Sequence, residues 1–151
     1  MKISKILLVI ILSFFLIGCS TKRNNNYIKE NNNQIKKEEN KVEKLKIVIN
    51  NIEYDIDIED NETTKAFIEM LPITINMNEL NGNEKYAYLN QELPTNEKNY
   101  YINKGDIMLY QDNCLVIFYK SFNTSYNYTK IGHINNMGDL DKENITVTIK
   151  K

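Results

Sequence analysis

Residues 114–119, Cys-Leu-Val-Ile-Phe-Tyr, constrain the fold of this chain more than any other stretch. Six successive positions carry no strongly polar side chain, too continuous for a strand with one wet face. Such a strand belongs at the centre of a closed or doubly covered sheet. A second apolar run, 107–110, precedes it across the polar triplet Gln111-Asp112-Asn113. Short β-branched and aromatic runs bounded by turn chemistry predict paired strands. A polar segment, 120–127, then leads into a third strand candidate at 128–134.

The preceding region alternates in the same way. Leu45, Ile47 and Ile49, then Ile52, Tyr54, Ile56 and Ile58, predict a hairpin turning at Asn50-Asn51. Asp60 and Asn61 offer an N-cap, and Ala66, Phe67, Met70 and Leu71 share one helical face that Pro72 ends. This short helix is expected to plug one end of a barrel. Residues 73–80 and 84–89 alternate on either side of Asn81-Gly82, a strong hairpin signal. Residues 91–104 read as a long loop around Leu93-Pro94, Gly138-Asp139-Leu140 as a short helical turn, and Ile145, Val147 and Ile149 as a last strand. About eight short strands with one or two short helices predict a mainly β protein, a small closed barrel.

The amino terminus follows other rules. Lys2 and Lys5 precede an apolar run, 6–17, too short to span a bilayer comfortably and of signal-peptide length. It ends in Leu16-Ile17-Gly18-Cys19, which resembles the lipobox of bacterial lipoproteins. That resemblance implies a signal peptide, 1–18, cleaved before Cys19, whose thiol would carry a diacylglycerol. Two or three acyl chains hold a protein stably at a membrane, so the expected location is the extracytoplasmic face of the cell membrane. Whether that membrane is inner or outer stays open. Residues 19–43 are Asn, Lys and Glu with few apolar side chains, too polar to offset ordering entropy. They are expected to be a disordered tether with an r.m.s. span of about 25–30 Å, leaving 44–151 as the folded domain.

Charge narrows the partners. The sole arginine is Arg23, and from Lys44 onward 11 lysines face 16 acidic residues. A mildly acidic, arginine-free domain is a poor binder of nucleic acid, whose affinity rests on cations against phosphate.

Four segments carry a family resemblance. Asp60-Asn61-Glu62-Thr63 with Ala66-Phe67, Met77-Asn78-Glu79-Leu80-Asn81-Gly82, Gly105-Asp106-Ile107-Met108-Leu109-Tyr110 and Ile131-Gly132-His133-Ile134 resemble, in this order, the bacterial cyclophilin-like family. The resemblance runs from about residue 45 to 149 and implies an eight-stranded cyclophilin-like β-barrel capped by helices. Members of that family are largely without an assigned activity. In true cyclophilins a guanidinium stabilises the proline nitrogen as amide resonance is lost, above an apolar floor and beside an orienting Gln. By that likeness Phe118 falls where one aromatic of the proline pocket stands. The segments 131–134 and 138–140 resemble their Phe-Gly-Lys-Val strand and the helix start after it. The motif carrying the catalytic Arg and Gln has no counterpart here, and a lysine supplies charge without the planar fork.

Individual side chains offer several chemistries. Cys114 opens the most apolar strand and is expected to be a buried core thiol, since a catalytic one wants an electropositive, accessible niche. His133, the sole histidine, has no cysteine or carboxylate cluster beside it, so no metal is expected. It reads as a rim imidazole or a general base. No cofactor motif is present. Ser121, Thr124 and Ser125 with His133 and Asp112 or Asp139 lack a nucleophile-elbow motif. Tyr119, Phe122, Tyr126 and Tyr128 crowd into ten residues with Ser, Asn and Thr, a recognition-surface composition. A groove lined by Tyr86, Tyr88, Phe118, Tyr119, Phe122 and Tyr126, with His133 at its rim, is the expected site for a peptide or small ligand. The alternative is a divergent extracytoplasmic prolyl isomerase, and the plainest option is an envelope barrel without a groove.

Overall fold

Alternation in the sequence becomes a barrel because each strand has one face that must leave water. The structure, a computed structural model, describes residues 44–151; the signal segment 1–18, Cys19 and the tether to residue 43 lie outside the described residues. The strands β1 (Leu45–Ile49) and β2 (Ile52–Ile58) form the expected hairpin, with Asn50 and Asn51 at positive φ of 49° and 65°. Asparagine tolerates that conformation, which matches the strand twist. The helix α1 (Glu62–Glu69) starts at Asn61, whose side chain accepts a hydrogen bond from the Thr64 amide at 2.8 Å. Phe67 on its inner face is buried in the barrel core.

Then follow β3 (Ile73–Leu80), β4 (Glu84–Tyr88), β5 (Lys98–Ile102), β6 (Asp106–Tyr110), β7 (Cys114–Phe118), β8 (Phe122–Ile134) and β9 (Ile145–Lys150). All pairings are antiparallel, in the order β2-β1-β9-β3-β4-β7-β6-β8, and β2 pairs again with β8. Eight strands thus close on themselves, a size whose interior side chains can fill. The closing seam needs a glycine. A Cβ at Gly132 would lie 2.6 Å from the Asp57 carbonyl oxygen, so no larger residue lets β2 and β8 approach as they do.

Two cores result. Inside the barrel, Leu45, Ile47, Ile49, Ile107, Leu109, Leu115, Ile117, Val147 and Ile149 form one apolar cluster. Outside it, β5 and the first half of β8 form an arm that folds across β6 and β7, and Ile102 and Tyr128 of the arm are buried together with Met108, Val116 and Phe118 of the wall. The strand β7 lies between these cores and is buried along its whole length, as its unbroken apolar run requires.

Three expectations are corrected. Residues 91–104 are not all loop, because β5 lies within them and pairs with β8. The polar segment 120–127 is mostly strand: β8 begins at Phe122 and runs 13 residues, carrying Thr124 and Ser125. Its alternation is hidden because one face meets solvent with Asn123, Ser125 and Asn127 and the other carries the polar Thr124 among its rings, while β5 breaks phase at a bulge between Asn99 and Tyr101. Gly138-Asp139-Leu140 is irregular, so α1 is the only helix among the described residues. The segment after β8 is instead tied down from within. Lys85 points into the barrel with 0% exposure and donates to the carbonyl oxygens of Asp141 at 2.6 Å and Glu143 at 2.5 Å.

Candidate functional site: a tyrosine groove on the outer barrel wall

Strand periodicity of two sends Lys85 and Ala87 inward and Glu84, Tyr86 and Tyr88 outward. On neighbouring β7, Val116 stands opposite Tyr86 and Cys114 opposite Tyr88. Tyr110 at the end of β6 is also paired with Cys114. Above this wall the arm contributes Tyr126 and Tyr128. Between wall and arm lies a cavity of about 290 Å³, whose lining also includes Leu80 and Asn81 of the β3–β4 turn. A second cavity of about 220 Å³ adjoins it and shares Asn81, Glu84, Tyr126 and Tyr128; Phe122 lines its far side.

The rings meet nearly at right angles. Tyr86 and Tyr88 have centroids 6.0 Å apart at 84°, and Tyr110 and Tyr126 have centroids 6.0 Å apart at 90°. Tyr88 is 69% and Tyr126 60% exposed, so the groove opens to solvent between them. Glu84 is 8% exposed, and its carboxylate makes no hydrogen bond or ion pair with a described residue. Burial raises its pKa from the ordinary carboxylate value, and the charge of Glu79 raises it further. The same burial, with Glu84 adding to it, pushes Cys114 up to about 11 and Tyr128 up to about 12. A thiol held at that value is protonated at neutral pH and is no nucleophile. Cys114 is a groove-floor residue.

The structure brings together Tyr86, Tyr88 and Tyr126 of the expected site residues and separates the others. Phe118 and Tyr119 are consecutive and face opposite ways. Phe118 is sealed beneath the arm, 5.6 Å from the Phe122 ring and 5.4 Å from the Tyr128 ring. Tyr119 enters the barrel core, where its hydroxyl donates to Glu79 Oε1 at 3.1 Å. Phe122 reaches only the adjoining cavity. His133 lies on the second half of β8, outside the groove. Its Nδ1 stands 3.0 Å from Oδ1 of Asp106, whose Oδ2 accepts from the Asn103 amide at 2.8 Å. Glu84, Tyr110 and Tyr128 were not among the expected lining. Glu84 was legible, since it shares the i, i+2, i+4 face of Tyr86 and Tyr88. Tyr110 and Tyr128 depend on how the arm folds back, which no local pattern encodes. Among the described residues no group of three or more His, Cys, Asp or Glu is arranged to hold a metal, and no helix is long and apolar enough to cross a membrane.

The closed eight-stranded topology and the resemblance in sequence meet in one comparison: the model of the cyclophilin-like family matches residues 47–150. The chain belongs to the cyclophilin-like family. No curated protein matches it. Among solved structures, this cyclophilin-like chain is similar to the solution structure of a hypothetical protein from Archaeoglobus fulgidus. The TM-score is 0.49 at 21% identity, covering 71% of this chain and 92% of the archaeal one. The family match spans β1 to β9, the whole barrel and the groove with it.

Proposed function

We propose that this protein is a cell-envelope lipoprotein, anchored through Cys19, whose cyclophilin-like domain binds a peptide or small ligand in the tyrosine groove without catalysing a reaction. The observation carrying this reading is the chemistry of the groove. Its lining is aromatic, apolar and acidic, and none of its residues is Lys, Arg or His. Prolyl isomerisation by the cyclophilin route asks for a cation at the proline nitrogen; the groove offers tyrosine side chains and a carboxyl instead. The size also fits a binding site, at the small end of the usual range for ligand pockets. A tether reaching ~25–30 Å from the membrane would hold such a groove clear of the headgroups.

A titration with Xaa-Pro peptides tests the proposal, following peptide isomerisation by NMR exchange and the protein's own amide shifts in the same samples. Shifts gathered on β4 and on the 122–128 part of β8, without faster exchange, are expected. Exchange accelerated at catalytic protein levels would make the protein a prolyl isomerase lacking the usual guanidinium. For the anchor, Cys19→Ser is expected to abolish fatty-acid labelling in a bacterial host. Undiminished labelling would remove Cys19 as the lipid site.

A further inference from the structure

We infer that the tyrosine groove around Glu84 takes a small methylated ammonium ion, a trimethylammonium head of the choline kind. The inference rests on the groove being a binding site and names the ligand's chemistry.

The first observation is the carboxylate. Buried acids are normally paired, and the other buried acid of the outer wall follows that rule. Asp106, 1% exposed, is hydrogen-bonded to His133 and to the Asn103 amide and has Lys130 Nζ at 3.6 Å. Glu84 is more than nine-tenths buried, lines both cavities, and has none of these partners. The charge acting on it is another carboxylate, Glu79. Beside it Asn83 lines the adjoining cavity, and its Oδ1 is buried without a donor. Two acceptors without a protein donor thus stand side by side, Glu84 lining both cavities and Asn83 the adjoining one.

The second observation is the ring set. Tyr86, Tyr88, Tyr110, Tyr126 and Tyr128 all line the larger cavity. Tyrosine faces attract a cation through the ring quadrupole, and groups of such rings are the usual way of recognising quaternary ammonium ions. Rings set perpendicular to one another make a corner, which suits a rounded head group; a flat aromatic ligand wants parallel walls. A cavity of about 290 Å³ limits the ligand to a small solute.

Ring faces and one carboxylate also distinguish among cations. A primary ammonium brings three strongly hydrated N–H groups, each wanting an acceptor. A trimethylammonium spreads its charge over methyl groups and asks only for ring faces and a counter-ion. Lysine-like amines are therefore poorer ligands than choline.

The test is calorimetric titration of the full-length chain in maltoside micelles with two probes. One is choline; the other is its uncharged carbon isostere, in which a tert-butyl group replaces the trimethylammonium. Choline is expected to bind about tenfold or more tighter than the isostere. Glu84→Gln should weaken choline about tenfold, leave the isostere unchanged and fold at neutral pH at least as stably as the native chain. Tyr126→Ala, at an exposed position, should weaken choline several-fold and keep the thermal midpoint of the native chain. Equal binding of both probes overturns the ammonium inference while leaving a ligand groove in place. Choline bound undiminished by the Gln variant overturns it too, as does an absence of choline binding. In that last case peptide shifts in the groove would still support the broader binding function.

Discussion

Glu84 and Lys85 are neighbours on β4, both are more than nine-tenths buried, and they face opposite sides of the barrel wall. Lys85 is closed off. Its ammonium donates to two backbone carbonyls and lies 4.8 Å over the Tyr119 ring. Glu84 is left open among tyrosines. Burying a charge without a partner is expensive, so the two residues have different reasons to be tolerated. Lys85 fastens the segment between β8 and β9 and belongs to the fold. Glu84 fastens nothing among the described residues, and the most economical account of it is a partner that arrives from outside. Local rules tend to be broken where function sits.

The same contrast runs along β7, where alternate residues face the lumen and the groove. Ile117→Ala should leave a cavity in the sealed lumen and cost about 3–4 kcal/mol in urea unfolding. Val116→Ala, on the groove side, removes less surface and should cost about 1.5–2 kcal/mol. Equal losses would mean that the arm seals the outer face as tightly as the barrel seals the inner one, and the groove would then lose its claim to be accessible. The seam offers a backbone version of this test. Gly132→Ala places a methyl against the Asp57 carbonyl and should cost about 1–3 kcal/mol. An unchanged midpoint would show that β2 and β8 do not close as tightly as their pairing indicates.

Lys85→Met keeps the stem and removes the charge. Two carbonyl oxygens lose their donor, at a cost of about 1–2 kcal/mol given that Asp141 and Glu143 are themselves exposed. Hydrogen exchange should rise in residues 138–144 while the lumen strands keep their protection. Choline binding should be unaltered, because the residue faces away from the groove. A variant that lost ligand binding as well would erase the distinction between a structural and a functional charge.

Much of this barrel was legible because strands with one wet face announce themselves. The turns at Asn50-Asn51 and Asn81-Gly82, the Asn61 cap and the doubly covered β7 follow from local chemistry. The arm did not follow. Residues 98–102 and 122–127 are mostly Tyr, Asn, Ser and Thr, with Lys98, Phe122 and a single aliphatic, Ile102, and each becomes a strand only because the other pairs with it. Pairing across twenty residues or more is a property of the fold and leaves no local trace. The site suffered accordingly. Alternation alone separates Phe118 from Tyr119, and places Glu84 beside Tyr86 and Tyr88. The contributions of Tyr110 and Tyr128 depend on the arm. Lys85 was hidden for another reason: a lysine in an alternating strand reads as solvent-facing unless two carbonyls wait inside the barrel.

The smallest expected effect tests the comparison most directly. Burial, and then the charge of Glu79, raises the folded-state pKa of Glu84 above its ordinary value of 4.5. The folded protein therefore holds this proton more tightly than the unfolded chain does. The stability linked to it is fully present below the ordinary value and is lost as pH rises through the raised folded one. Gln at position 84 carries no such proton. Glu84→Gln should therefore match or trail the native chain at acid pH and gain on it as pH rises to neutral, in paired urea unfolding curves without ligand. Cys114 and Tyr128 line the site, and Glu79, whose Oε1 accepts from Tyr119 on the barrel side, acts on Glu84 from across the wall; all three are the same in both proteins and do not distinguish them. If the two stability profiles run parallel across that range, Glu84 is already partnered in the free protein, and it becomes a structural charge like Lys85. If they diverge as expected, adding choline should close the gap, because the ligand supplies to Glu84 the partner that Lys85 finds within the fold.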